Sequence, residues 1–129
     1  MKLGYTVLFV ESVHETMTFY EQAFGFERKM ILESGEYGEL QNGDTTLAFT
    51  ANSAVNTLSD VTFEPAALHK AAPPIELGMV SESVEADFAR AVAAGAVVVK
   101  PPETRSWGRV AWVRDNNGFL VEIVSHTAG

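Results

Sequence analysis

The chain has 129 residues, of which 47% are hydrophobic and 20% charged, as is typical of one globular domain with its own core. It contains no cysteine, which excludes disulfides, thiolate zinc sites and a cysteine nucleophile. The net charge is −8 and the nine Lys and Arg residues are scattered, which argues against nucleic acid as a partner.

No apolar run approaches the roughly 20 residues of a membrane span, and the first residues lack a signal peptide's apolar stretch. We therefore expect a cytoplasmic protein that binds neither nucleic acid nor membranes.

The first half of the chain predicts one strand, one helix and three further strands. These elements cover residues 3–10, 13–24, 26–32, 37–41 and 45–50, in that order. Ser12, followed three residues later by Glu15, has the form of a capping box and predicts the start of the helix. Gly25 is a suitable helix terminator. The pair Asn42-Gly43 favours a tight hairpin between the last two strands.

The second half predicts the same elements in the same order. They cover residues 75–80, 84–94, 96–100, 109–113 and 119–124. Ser83 can cap the second helix, Gly95 ends it, and Asn117-Gly118 marks the last hairpin.

The two halves therefore read as a duplication. Gly25 and Gly95 are 70 residues apart, and Val10 and Val80 have the same separation. This predicts an α+β fold of two βαβββ modules packed as a pseudo-twofold pair in one domain. We place module one at about residues 1–52, a linker at about 53–74 and module two at about 75–126. The linker contains three prolines and an alanine run, which favour a connecting segment over a third module.

Four stretches carry a resemblance that covers nearly the whole chain. They are Phe19-Tyr20-Glu21, Phe24-Gly25-Phe26, Ala94-Gly95-Ala96 and the nine residues 115–123, DNNGFLVEI. In this order and with this duplication, the chain resembles the vicinal oxygen chelate superfamily, which includes glyoxalase I, extradiol dioxygenases and the bleomycin- and fosfomycin-resistance proteins. The resemblance implies that each module curls into half of a cup. It also implies that metal-dependent members hold the metal with one ligand from the first strand and one from the last strand of each module.

The four implied ligand positions hold few usual ligands in this chain. Tyr5 stands where the family usually has His, and the last strand of module one offers Leu47 or, in the neighbouring register, Ala48. Module two offers Glu76 and Glu122. Two carboxylates with a tyrosine are a poor cage for a transition metal. We therefore predict that no metal is bound and that Glu76 and Glu122 are the ligands if a divalent metal does bind. The histidines, at positions 14, 69 and 126, lie outside the four positions.

Several roles remain open for these residues. Glu122 is a metal ligand, or a carboxylate held by hydrogen bonds to Tyr5 or by Arg109 or Arg114. If Glu76 and Glu122 both face the cleft without a metal, their repulsion raises one pKa and allows an acid/base pair. Catalytic residues are otherwise unknown, with Glu122, Glu76 and Tyr5 as the candidates. Tyr5 is alternatively a cleft wall or plain strand packing.

Ligand contacts are expected from aromatic and polar side chains on the strands. Trp107 is the aromatic residue that we favour for ligand stacking. Arg105 and Arg109 flank it and either hold an anionic substrate or pair with acidic side chains. Phe19, Tyr20, Phe24, Phe26 and Trp112 are predicted to be core residues. The predicted ligand-binding set is Tyr5, Leu47, Phe49, Trp107, Arg109 and Glu122.

The leading functional prediction is a metal-free small-molecule-binding protein that sequesters an aromatic natural product or antibiotic. The acidic balance, together with aromatic walls, favours a basic aromatic ligand. The alternative is a metal-dependent lyase, isomerase or ring-cleaving dioxygenase that uses Glu122 and Glu76. The resemblance also implies a homodimer with two clefts. Strand patterns do not identify the ligand, nor whether residues 51–74 form a lid.

Overall fold

The computed structural model describes residues 1–126 of the chain. In chain order these residues form β1 (Thr6–Val10), α1 (Val13–Phe24), β2 (Glu27–Ile31), β3 (Tyr37–Asn42), β4 (Thr45–Ala51), α2 (Asn52–Ser59), β5 (Glu76–Val80), α3 (Val84–Ala93), β6 (Val97–Arg105), β7 (Gly108–Arg114) and β8 (Leu120–Ser125). No helix within them is long and apolar enough to cross a membrane.

The strands form two four-stranded mixed sheets with the same topology. Sheet one has the order β1-β4-β3-β2 and sheet two has the order β5-β8-β7-β6. In each sheet the first and last strands of a module pair in parallel, and the remaining neighbours pair antiparallel. The prediction of an α+β fold with two βαβββ modules is therefore confirmed.

Local capping fixes the two long helices where the sequence predicts them. The Ser12 hydroxyl accepts a hydrogen bond from the backbone N–H of Glu15 at 3.2 Å, and the Ser83 hydroxyl accepts one from Ala86 at 3.4 Å. Gly25 ends α1 with φ of 73°, a left-handed conformation that glycine adopts without a steric penalty. Each cap satisfies backbone groups that the ends of a helix leave unpaired.

The internal repeat has a spacing of 71 residues at its start, because Ser12 and Ser83 both cap helices. The predicted match of Val10 with Val80 is therefore wrong by one residue. Val10 is 1% exposed in the core, whereas Val80 is 79% exposed. A shift of one residue in a strand moves a side chain to the opposite face of the sheet, so the residue equivalent to Val10 is Ser81.

One core cluster joins the inner faces of the two sheets. It includes Leu8 and Phe49 from sheet one, Val121 and Ile123 from sheet two, and Tyr20 from α1. Helices α1 and α3 contact each other, and each also packs on the sheet of its own module. The helices therefore lie between the sheets. Since side chains alternate along a strand, the other face of each sheet points outward, away from the other module.

A buried polar network ties the two modules together. The Tyr20 hydroxyl donates to Asp115 Oδ2 at 2.5 Å, and Asp115 Oδ1 accepts the backbone N–H groups of Asn117 at 2.8 Å and Phe119 at 3.0 Å. The Asn117 side-chain amide donates to the Thr16 hydroxyl at 2.9 Å. The turn at 115–118 therefore shapes the last hairpin and also fastens module two to α1.

The segment between the modules contains a helix that the sequence analysis missed. Helix α2 buries Ala54 and Val55, although its first residues lack a side-chain cap. Farther along, the Arg114 guanidinium donates to the carbonyls of Lys70 at 2.8 Å and Ala67 at 3.3 Å. The segment is thus attached to module two by backbone carbonyls, which a sequence pattern does not reveal.

Strand β6 is longer than predicted. The prediction ends it at Lys100, but it continues through Pro101 and Pro102 to Arg105, and its register with β7 shifts between Lys100 and Glu103. Prolines are tolerated here because β6 is the outermost strand of its sheet, where backbone donors on one side have no strand partner.

Candidate functional site

Strand register identifies the equivalent positions of the two modules. Val7 pairs with Ala48 in sheet one, and Gly78 pairs with Glu122 in sheet two. Both pairs lie on outer faces, so Ala48 is the counterpart of Glu122. Counting from the turn glycines pointed to Leu47 instead, but Leu47 is a buried residue of the inner face. The count was wrong by one residue because the two turns differ in length.

Glu76, Glu122 and Trp112 lie together on the outer face of sheet two. Trp112 is directly cross-strand from Glu122, and its indole N–H donates to Glu76 Oε1 at 3.1 Å. The Glu122 carboxylate lies over Gly78, where an added Cβ would be 3.8 Å from Oε1. The Arg105 guanidinium lies 5.5 Å from the centroid of the Trp112 ring. The group combines two carboxylates with one aromatic surface.

The pKa of Glu122 is raised above the ordinary glutamate value, first by burial and then by the negative charge of Glu76. Among residues 1–126, no hydrogen bond or ion pair involves the Glu122 carboxylate, and the charge of His126 is the one influence that lowers its pKa. Arg109 pairs with Glu85 of α3, and Arg114 binds backbone carbonyls. The interpretation that one of these arginines holds Glu122 is therefore wrong, and the charge of His126 offsets only part of the effect of burial and of the repulsion from Glu76.

The outer face of sheet one carries a different set of side chains. Tyr37 donates its hydroxyl to Glu39 Oε2 at 2.6 Å, and Lys29 Nζ lies 3.7 Å from Glu39 Oε1. Burial and the neighbouring Glu39 raise the pKa of Tyr37, with a smaller contribution from Tyr5. Tyr5 is 55% exposed and belongs to this face, so within one chain Tyr5 and Glu122 lie on opposite sides of the molecule.

The other predicted ligand contacts are dispersed. Trp107 lies in the turn between β6 and β7 and is 44% exposed. Phe49 is fully buried, and its ring centroid is 5.3 Å from that of Tyr20. Leu47 lines a cavity between the modules. Arg109 donates to Glu85 and to the Thr104 hydroxyl.

Trp112 is the site residue that the sequence analysis missed. It was predicted to be core, but it is half-buried on the outer face beside Glu76. The sequence did contain a signal that Trp112 lies beside Glu122. Both residues are five positions from Asn117, which lies within the predicted hairpin turn. Residues placed symmetrically about a hairpin turn are cross-strand neighbours, and such neighbours share one face.

The side chains at the four equivalent positions do not supply the ligands of a transition-metal centre. These positions are Tyr5, Ala48, Glu76 and Glu122. Ala48 has no ligand atom, and tyrosine is not among the usual ligands of these metals. Two carboxylates remain, without the imidazole or thiolate ligands that such metals prefer. Within residues 1–126, no three His, Cys, Asp or Glu side chains come close enough to hold a metal ion.

Family comparison agrees with this architecture. The model of the Glyoxalase/Bleomycin resistance protein/Dioxygenase superfamily matches residues 2–123. The chain therefore belongs to this superfamily. Among curated proteins, none matches the sequence.

Several solved structures share the fold. A glyoxalase-related enzyme from Fulvimarina pelagi superposes with a TM-score of 0.81 at 18% identity, over 97% of this chain and 88% of that chain. A glyoxalase/bleomycin resistance protein/dioxygenase family enzyme from Burkholderia phytofirmans PsJN gives 0.78 at 22% identity, over 98% and 99%. TioX from Micromonospora sp. ML1 gives 0.69 at 22% identity, over 95% and 98%. At these identities the likeness extends to the fold alone.

Proposed function

We propose that this protein binds and sequesters a basic aromatic small molecule, without a metal, in a cleft that a second copy of the chain completes. The observation that carries the proposal is the group of Glu76, Glu122 and Trp112 on the outer face of sheet two. A positively charged ring system would balance the carboxylates and stack on the indole. Such aromatic and cation–π contacts contribute about 0.5–2 kcal/mol each.

The cleft needs two copies because one chain turns its two outer faces away from each other. Strands β1 and β5 are edge strands of their sheets. Exposed apolar side chains lie along or beside them, among them Leu3, Tyr5, Ile75 and Val80. Unpaired edges with exposed apolar side chains favour association. We propose a homodimer in which β1 of one copy lies beside β5 of the other, so that Tyr5 and Glu122 from different copies face one cleft.

The binding part of the proposal is tested with the cationic dye acridine orange, by its fluorescence and by quenching of tryptophan emission. We expect saturable binding of one dye per chain. Glu122→Gln should weaken binding about tenfold, equivalent to about 1.4 kcal/mol. Glu82→Gln makes the same change in net charge at an exposed position before α3 and should leave binding unchanged. Equal affinities of the two variants would contradict the proposed cleft.

The assembly is tested by sedimentation of the wild-type protein and of Val80→Asp, which places a charge on the exposed edge of β5. We expect a dimer for the wild type and a folded monomer with weakened dye binding for the variant. A wild-type monomer that binds the dye at full affinity would contradict the shared cleft.

The metal-free part of the proposal is tested by measuring the metal content of the purified protein. Near-stoichiometric iron, manganese, nickel or zinc that is lost in Glu122→Gln would contradict it.

A further inference from the structure

A concave pocket that is open to the surface lies between the two modules. It is a cavity of about 380 Å³, within the range of small-molecule sites. Leu47 contributes from sheet one, and Leu77, Met79 and Ile123 contribute from sheet two. Phe24, at the end of α1, adds an aromatic side chain. The apolar side chains therefore come from both halves of the duplication. Polar side chains complete the lining, namely Thr6, Asn42, Thr45, Thr46, Ser81, Asp87 and Arg90.

This cavity is separate from the cleft proposed above. Ile123 follows Glu122 in β8, and Leu47 precedes Ala48 in β4, so their side chains point to opposite faces of the sheets. Gly78 and Val80 of the edge strand β5 also line the cavity, so it reaches the edge of sheet two. Its apolar side chains from Leu77, Met79 and Ile123 nevertheless point away from the Glu122 carboxylate. Binding at the two places can therefore be altered independently.

The rim of the cavity carries one cation and one anion from α3. The Arg90 guanidinium is fixed at the end of α1, since its Nε donates to the Gln22 carbonyl at 2.8 Å and Nη2 donates to that of Glu21 at 3.4 Å. Asp87 Oδ2 accepts a hydrogen bond from the Ser81 hydroxyl at 2.6 Å. Within residues 1–126, Arg90 Nη1 and Asp87 Oδ1 have no hydrogen-bond partner, and the two side chains form no ion pair.

We infer that this inter-module cavity is a second binding site, for a small neutral molecule with an apolar body and one head group that both donates and accepts hydrogen bonds. Arg90 offers a positioned donor and Asp87 a positioned acceptor, so a carboxamide or a similar head satisfies both. An anionic head is attracted by Arg90 but repelled by Asp87, and a cationic head is attracted by Asp87 but repelled by Arg90, so neither charge gains over a neutral head. The apolar body contacts Leu77, Met79 and Ile123.

The inference is tested with three probes of one shape, measured by calorimetry. These are neutral 2-naphthamide, anionic 2-naphthoate and cationic 2-naphthamidine. We expect the amide to bind most tightly and both ions several-fold more weakly. Asp87→Asn should raise the affinity for naphthoate relative to naphthamide, because the substitution removes the negative charge and retains an oxygen for Ser81.

Cavity-filling variants locate the bound probe. Met79→Trp should abolish naphthamide binding, and Leu77→Phe provides a second filling change if the first variant fails to fold. Glu122→Gln, on the outer face, should bind naphthamide as the wild type does. That control also separates the inference from the proposed cleft, since dye binding depends on Glu122 and naphthamide binding does not.

Three results would overturn the inference. The first is wild-type protein that does not bind naphthamide. The second is unchanged affinity in a folded filling variant, or weaker binding in Glu122→Gln. The third is naphthamide binding that is seen only when the protein is diluted to monomers, which would mean that the second copy fills the cavity.

Discussion

The two modules share one topology, yet their outer faces carry different chemistry. Tyr5 and Ala48 in module one occupy the positions that Glu76 and Glu122 occupy in module two. The inner faces, by contrast, are apolar in both modules and share one core. This difference indicates that packing between the modules constrains which residues the inner faces can carry. The outer faces are freer to change, which is why we place the function there.

The turns that precede the last strands differ in a similar way. In module one the turn between β3 and β4 is exposed, and Asp44 lies on its surface. In module two the turn between β7 and β8 is buried, and Asp115 is fully buried with three hydrogen-bond donors around it. Only the second turn connects the modules, so equivalent turns should respond very differently to substitution.

The largest expected effect tests that contrast between turns. Asp115→Ala leaves the Tyr20 hydroxyl and two backbone N–H groups without their acceptor in the core. We expect the free energy of unfolding to fall by roughly 3 kcal/mol or more, because each buried unsatisfied group costs about 1–3 kcal/mol. Asp44→Ala should change it by less than about 0.5 kcal/mol. Urea denaturation measures both, and similar losses would show that Asp115 does not tie the modules together.

The next effect compares equivalent positions on the inner faces. Gly38 and Ala111 pair with Phe49 and Ile123 in corresponding registers. A Cβ on Gly38 would lie 2.5 Å from Met17 Sδ in the core, so Gly38→Ala should cost about 1–3 kcal/mol by overpacking. Ala111→Gly should cost about 1–2 kcal/mol, through backbone entropy and the loss of one buried methyl group.

A double-mutant cycle checks the cause of the first loss. Met17→Ala should be less costly in the Gly38→Ala background than in the wild type, since it removes the clashing atom. Additive effects in thermal denaturation would mean that Met17 is not the obstacle.

A smaller effect compares the hydrogen bonds on the outer faces. Trp112→Phe removes the donor to Glu76, and Tyr37→Phe removes the donor to Glu39. Each should lower the free energy of unfolding by about 0.5–1.5 kcal/mol. The loss should be greater for Trp112→Phe, because Glu39 keeps Lys29 nearby. Chemical denaturation of both variants gives the ranking, and a greater loss in Tyr37→Phe would reverse it.

The smallest effect concerns the charge of Glu122. Because its pKa is raised in the folded state, its contribution to stability is full below the ordinary value of 4.5 and is lost as the pH rises through the folded pKa. Glu122→Gln should therefore be slightly more stable than the wild type at neutral pH. The two proteins should converge in acid.

Melting temperatures across a pH series test this expectation, with Glu82→Gln as the control for net charge. A Glu122→Gln variant that is less stable than the wild type at neutral pH would show that the attraction to His126 outweighs burial and the repulsion from Glu76.

Elements set by interactions between neighbouring residues were predicted correctly, whereas elements that depend on distant residues were missed. The bounds of α1 were predicted correctly because Ser12 and Gly25 act on the backbone next to them. Helix α2 was missed since it has no side-chain cap, and its formation accompanies the burial of Ala54 and Val55.

The candidate site was predicted in part. Glu76 and Glu122 were named from strand positions, and the structure places them on one face. Trp112 was assigned to the core because apolar character alone does not indicate which face of a strand a residue occupies. The choice between Leu47 and Ala48 needed the register, which depends on turn length and pairing across the sheet.

The sequence by itself determined the duplicated βαβββ order and the family, because caps, turns and alternation are written in neighbouring residues. Only the tertiary structure decided that α1 and α3 pack between the sheets. That packing separates Tyr5 from Glu122 within one chain and creates the inter-module cavity. It depends on contacts such as that of Tyr20 with Asp115, which are 95 residues apart. No local pattern specifies such a contact, since it forms only when two complete modules meet.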